Sequence, residues 1–188
     1  MAVREALLVL LSVGPNYGFR LHTELTARLP QRAGLNVGQT YSTIERLVKS
    51  NLIERAGLTP DGLPLFALTE TGERTATEWL SGNDGSGSAV DETAERVLLA
   101  LSLGGLLPAN VGSAEQVLAG EAERWRGRSE ADAGESPHGA LREFERLQAE
   151  AVLRWLDDLA ARPSGVWVRP FDESSPRRGR PRKAVDSP

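Results

Sequence analysis

VGQTYSTIERLVKSNLIE, residues 37–54, is the stretch on which the fold turns. Val37, Tyr41, Ile44 and Val48 fall at spacings of four, three and four, with Leu47 beside them, and so mark one face of an α-helix. The other side presents Gln39, Ser42, Thr43, Arg46 and Lys49, a polar, short-chained and slightly basic surface. Asn51 can end the helix, because asparagine tolerates the left-handed region that a helix C-terminus often needs. Leu52 and Ile53 then open a run of different period.

Upstream, VREALLVLLSV (3–13) is dense in helix formers and is stopped by Gly14, Pro15 and Asn16. GFRLHTELTARL (18–29) follows with an apolar side of Phe19, Leu21, Leu25 and Leu29, and Pro30 ends it. Downstream, two short extended runs near 53–56 and 65–68 flank GLTPDGLP (57–64), whose Pro-Asp-Gly predicts a β-hairpin. Thr69 can cap a helix through ETGERTATEWL, with Gly72 tolerated in the first turn. Helix, helix, helix, hairpin, helix is the order of a winged helix-turn-helix, in which the third helix reads the DNA major groove.

The second half reads as helical. SGNDGSGS (81–88) is a linker, and Asp91 caps a helix through ETAERVLLALSLGGLL. Another helical segment covers 113–127, and a last helix covers about 140–161. In that last helix Leu141, Phe144, Leu147, Val152, Trp155 and Leu159 form an apolar stripe, closed by Pro163. Beyond it no periodic pattern survives, and 163–188 is expected to be a disordered basic tail. The expected fold class is therefore mainly α with a small β-hairpin wing. A winged helix-turn-helix over 1–80 leads through the linker to a helical dimerisation region over 89–162.

Composition narrows the function. The 188 residues include no cysteine and two histidines, His22 and His138, which share no metal-ligand spacing. With no phosphate-binding glycine loop and no nucleophile–histidine pair, neither an enzyme nor a bound cofactor or metal is expected. No apolar run reaches the length of a membrane span. Arg4 beside Glu5, with no small-residue cleavage site, argues against a signal peptide, so a cytoplasmic location is expected. The formal net charge of −4 is unevenly placed: 0 over residues 1–80, −7 over 81–162 and +3 over 163–188. An acidic total therefore leaves double-stranded DNA open as a partner.

The chain resembles the PadR family of bacterial transcription regulators. The residues that carry the resemblance are ALLVLLSVGPNYGFRLHTEL, then Gly38, Tyr41, Ile44, Arg46, Leu47, Leu52 and Ile53 of the opening stretch, and LFALTETGE after the wing. The segment LREFERLQAEAVLRWLDDLAARP resembles the long terminal helix through which the larger members of the family dimerise. The resemblance implies DNA contacts from Gln39, Thr40, Tyr41, Ser42, Thr43, Arg46 and Lys49. It also implies a homodimer joined through Leu141, Phe144, Val152, Trp155 and Leu159. Such a dimer would set two recognition helices about 34 Å apart on a pseudo-palindromic operator, and a repressor is the expected role. Tyr41 would rest its ring on the helix bundle with its hydroxyl near a phosphate, or serve the core alone. A small-molecule inducer remains open, since Trp79, Trp125 and Trp155 could line an apolar pocket or simply fill cores.

Family wings carry cations at the tip, whereas GLTPDGLP has none and contains Asp61. The cations stand in the tail instead, where PRRGRPRK (176–183) holds five. Its Arg178, Gly179, Arg180 and Pro181 resemble an AT-hook core, in which an extended Arg-Gly-Arg follows the A·T minor groove. A basic tail that only attracts phosphate is the alternative. Two other functions stay in view: an architectural A·T-rich DNA-binding protein, and a regulator controlled by a protein partner.

Overall fold

The computed structural model describes residues 3–83, 89–129, 137–163 and 165–171. Its elements are α1 (Val3–Leu11), β1 (Asn16–Tyr17), α2 (Gly18–Arg28), α3 (Val37–Lys49), β2 (Ile53–Leu58), β3 (Pro64–Leu68), α4 (Glu70–Leu80), α5 (Val90–Leu103), α6 (Ala114–Ser129) and α7 (Pro137–Ala160). Single 3-10 turns follow α2 at Pro30–Arg32 and α5 at Gly104–Leu106.

The expected hairpin forms and gains a strand. β2 pairs antiparallel with β3, Ile53 opposite Leu68, and β1 pairs on the other edge of β3, Asn16 opposite Phe66 and Tyr17 opposite Leu65. The order is β1-β3-β2. Two residues of β1 are too few to show an alternating pattern, so the sequence presents them only as the end of a turn.

From Ala6 onward α1 is apolar all round, and Ala6, Leu7, Leu8, Val9 and Leu10 are each 0% exposed. A helix with no polar face must be enclosed. α2, α3, α4, β3 and α5 enclose it, and Leu99, Ala100 and Leu103 of α5 belong to the same cluster as the α1 leucines. One core therefore runs from the winged helix into the C-terminal helices. A second cluster joins Val97 of α5 with Leu118, Ala122 and Trp125 of α6 and Ala149, Val152, Leu156 and Leu159 of α7.

Between the two clusters lies a buried ionic node. The Glu121 carboxylate accepts from Thr93 Oγ1 at 3.1 Å, from Arg124 Nη2 at 2.6 Å and from Arg96 Nη1. Arg124 also donates to the Ser81 carbonyl at 2.8 Å, and Trp125 Nε1 donates to Thr93 Oγ1 at 3.0 Å. The Arg96 guanidinium lies 5.1 Å from the Trp79 ring centroid, and Trp79 Nε1 donates to Glu92 at 2.9 Å. Helices α4, α5 and α6 are thus pinned through one carboxylate. Trp79 and Trp125 fill cores here, while Trp155 is half-buried, packed on the edge of the second cluster beside Val90 and Ala94.

Three expectations need correcting. Asp91 does not cap α5: Ala89 stands at the N-cap without a side-chain hydrogen bond, and Asp91 lies within the first turn. Gly72 is not merely tolerated: a Cβ there would come within 1.9 Å of the Leu52 carbonyl oxygen, so α4 and the root of β2 meet at a distance only glycine allows. Nor is the chain beyond Pro163 loose throughout. Residues 165–171 form a strap, in which Arg169 N–H donates to the Ser102 carbonyl at 2.9 Å. Arg28 donates to Ser102 O at 2.7 Å and to Arg169 O at 2.8 Å, while its Nε holds Glu24 at 3.0 Å. The Phe171 ring sits 4.6 Å from the Arg28 guanidinium and 5.6 Å from that of Arg20. The strap is held by backbone pairing and one aromatic ring, neither of which leaves a period in the sequence. Arg178, Gly179, Arg180 and Pro181 lie outside the described residues. Among the described residues no helix is long and apolar enough to cross a membrane, and no group of three or more His, Asp or Glu could hold a metal.

Burial works to raise the Glu121 carboxyl, but hydrogen bonds and charge from Arg124 and Arg96 outweigh it and hold it below the ordinary 4.5. A carboxyl more acidic in the folded than in the unfolded chain stabilises fully above the unfolded value. That stability is lost as pH falls through the folded one. Glu121→Ala should cost about 3 kcal/mol at neutral pH, because it takes the principal carboxylate from the buried Arg96 and a second acceptor from the half-buried Arg124. The urea midpoint should show this loss, and the variant should also lose part of the parent's decline in stability below pH 4.5.

Candidate nucleic-acid interface

α2 and α3 form the helix-turn-helix. Asn36 caps α3: its Oδ1 accepts from Gly38 N–H at 2.8 Å, and Gln39 Oε1 accepts from Asn36 N–H at 3.1 Å. This reciprocal capping box fixes where the helix starts. At the other end Asn51 takes φ 55°, as expected of it, and Leu52 N–H closes onto the Leu47 carbonyl at 3.0 Å.

The side that α3 buries differs from the expected one. Thr40, Thr43, Ile44 and Leu47 face the core, while Val37 and Tyr41 are 39% and 42% exposed. Thr40 is wholly buried, its hydroxyl 2.9 Å from His22 Nδ1 of α2, and so it ties the two helices together instead of facing DNA. Thr43 is also turned inward, donating to the Gln39 carbonyl at 2.8 Å and accepting from Arg46 Nη2 at 3.0 Å. The sequence reading sets the two β-branched hydroxyls toward DNA and leaves the Tyr41 ring between the bundle surface and the core. The helix satisfies the hydroxyls locally and rolls the ring to the rim.

Of the implied contacts, Gln39, Tyr41, Ser42, Arg46 and Lys49 are exposed. Ser42 and Lys49 lie along the centre of the outward side, with Gly38 and Glu45 in the same row. Glu45 was missed, although its three- and four-residue spacing from Ser42 and Lys49 was there to be read. Arg46 is folded along its own helix, Nε to the Ser42 carbonyl at 3.2 Å. Gln39 turns its carbonyl oxygen back to the cap, which leaves its amide N–H2 group as the outward donor. Tyr41 lies over the start of α2, where a Cβ on Gly18 would come within 2.6 Å of its ring. That close approach makes Gly18 the seat of the tyrosine.

On one flank of α3 a shallow groove of about 420 Å³ runs between Gln39, Ser42 and Arg46 and the start of α1, with Glu5 and Arg32 opposite. Burial raises the Glu5 carboxyl despite its own backbone hydrogen bond and Arg4. On the wing, a bulge between Arg55 and Leu58 places Gly57 at φ 117°, and Gly62 turns the tip at φ 79°. Leu58 is 67% exposed there. Arg55 supplies the wing's cation but lies 6.0 Å over the Phe66 ring, at the root and away from the tip.

Helix, strand, helix, helix, hairpin, helix in this arrangement is a winged helix-turn-helix, followed by a helical C-terminal region. No family model and no curated protein matches the chain. Two solved structures of PadR from Bacillus subtilis are similar to it. One is in complex with operator DNA, at 17% identity and TM-score 0.40, and one with p-coumaric acid, at 16% and 0.39. Each alignment covers 86% of this chain and 98% of the other. The likeness is one of overall fold and assigns no role to any residue.

Gln39→Ala should lower stability by about 1 kcal/mol through loss of half the capping box, while Ser42→Ala and Lys49→Ala should stay within about 0.5 kcal/mol of the parent. Chemical denaturation followed by circular dichroism separates these. Equal stability of all three variants would mean that the Gln39 cap contributes nothing.

Proposed function

We propose that the chain is a sequence-specific, DNA-binding regulator of transcription, acting as a homodimeric repressor on a pseudo-palindromic operator. The observation that carries this reading is the outward side of α3. Gly38 and Ser42 are small enough for close approach to base edges, with Glu45, Arg46 and Lys49 following, on a helix fixed at both ends and backed by a wing.

α7 supports the dimer with part of the expected stripe. Val152 and Leu159 are buried within the protomer, whereas Leu141, Phe144 and Leu147 are 57%, 56% and 50% exposed. An open apolar groove of about 300 Å³ lined by Val90, Ala94, Ala151 and Trp155 continues their side of the helix. A second copy laid along this side would cover all of them. Phe144→Asp with Leu147→Asp should therefore give monomers in sedimentation and weaken operator binding, with helix content kept. Selection from random DNA should enrich one bounded palindrome for the parent. Coating that grows with DNA length would favour an architectural role, and a double variant that stays dimeric would remove this face from the assembly.

The basic segment 176–183 is proposed as an auxiliary arm. The strap brings the backbone to Phe171 beside α2, and the seven residues from there to Arg178 can span about 25 Å at full extension. Truncation after Phe171, which keeps the strap, should preserve fold and dimer. It should flatten the salt dependence of binding by about 0.9 in log–log slope per phosphate no longer neutralised. Arg178→Ala with Arg180→Ala should hurt most on A·T-flanked operators if the segment lies in the minor groove. Equal loss on G·C flanks would make it a nonspecific arm.

A further inference from the structure

Glu45 is the feature of the outward side that the proposed function leaves unexplained. The row Gly38, Ser42, Glu45, Lys49 runs at four-, three- and four-residue spacing along the side of α3 opposite Thr40, Thr43, Ile44 and Leu47. Glu45 is exposed, and among the described residues no hydrogen bond or ion pair engages its carboxylate. Of the two cations within a turn of it on α3, Arg46 is held against its own helix by Ser42 O and Thr43 Oγ1, and Lys49, four residues on in the same row, extends to solvent without closing an ion pair on it. An unengaged carboxylate in the middle of a DNA-facing helix is repelled by the phosphates and must leave water when the helix enters the groove. Such a placement disfavours every DNA sequence that offers it no hydrogen-bond donor.

We infer that Glu45 is a specificity-determining residue that accepts a hydrogen bond from the exocyclic amine of a cytosine in each half-site. The inference rests on the DNA-binding reading above. On the major-groove edge guanine presents N7 and O6 and thymine presents O4, all acceptors that face a carboxylate with like partial charge. Only cytosine N4 and adenine N6 present donors. Adenine sets the acceptor N7 beside its amine, where it opposes the second carboxylate oxygen. Cytosine sets a C–H there, which does not. Gln39, with its carbonyl turned to the cap, presents a donor and so reads an acceptor edge. The two residues thus make opposite demands on the bases they meet, and one helix side gains two kinds of discrimination.

The test is selection of binding sites from random duplex DNA by the full chain, its Glu45→Ala variant and its Glu45→Gln variant. Circular dichroism should be unchanged for both variants, because the position is exposed within a capped helix. The parent motif should hold one cytosine per half-site, discriminated by roughly fivefold to a hundredfold against the other bases. Glu45→Ala should lose that preference at that position alone, the rest of the motif persisting. Glu45→Gln should shift the preference toward adenine, whose N6 and N7 match an amide. If Glu45→Ala keeps the parent's base at every position and binds all sequences more tightly by one factor, the carboxylate only repels phosphate and the inference is overturned. If the parent enriches no motif at all, the DNA-binding reading itself fails, an outcome distinct from the loss of one position.

Discussion

The enclosure of α1 is the constraint from which the architecture follows. Residues 6–11 read Ala-Leu-Leu-Val-Leu-Leu, and such a helix has no side that can face water. Two helices and a wing cannot surround it, so α4 and α5 must close the remaining sides. The recognition helix therefore stands on a core that also contains C-terminal residues, and its position is not set by the winged helix alone. The Glu121 node reinforces the same junction with charge. It lies where α5 leaves the first cluster for the second, and one carboxylate satisfies donors from two helices.

The surface formed by the outward side of α3 and the wing is close to electrically balanced. Arg46, Lys49 and Arg55 are offset by Glu45, Glu54 and Asp61 across α3 and the wing. A surface of this kind gains little from counterion release, so it cannot hold DNA of arbitrary sequence strongly. In the proposed reading, fit to particular base edges supplies the binding, which suits small residues at Gly38 and Ser42 and single polar groups of fixed orientation. In the proposed reading, cations are supplied from elsewhere in the chain.

Much of this was legible in the sequence, and the exceptions share a cause. Capping and turn chemistry are local, so Asn51, Thr69 and the Pro-Asp-Gly turn could be read from a few neighbours, and the structure places them as expected. Which side of α3 is buried depends on what lies against it. Thr40 and Thr43 go inside because His22 and the helix's own carbonyls take their hydroxyls, and Tyr41 goes to the rim because Gly18 leaves room there. Likewise Val152 and Leu159 were counted with an intermolecular stripe, but α5 and α6 claim them first. The contacts of Gly72 and Phe171 bring together residues distant in sequence, and nothing periodic announces them. The small polar outward row of α3 is visible by spacing, and Glu45 shares that spacing with Ser42 and Lys49.

The strap has a consequence for the order in which the protein is made. Arg28 is buried, and two of its hydrogen bonds go to Ser102 and Arg169, the latter 141 residues further along. A chain emerging from the ribosome presents α2 with Glu24 already beside Arg28, yet the Ser102 carbonyl comes 74 residues after Arg28, and the Arg169 carbonyl and the Phe171 ring come later still. Before α5 is made, α1 lacks one of its walls, and before the strap is made, Arg28 has Glu24 as a partner but not the Arg169 carbonyl. The winged helix therefore closes in stages, its core with α5 and the cover of Arg28 only with residues 169–171.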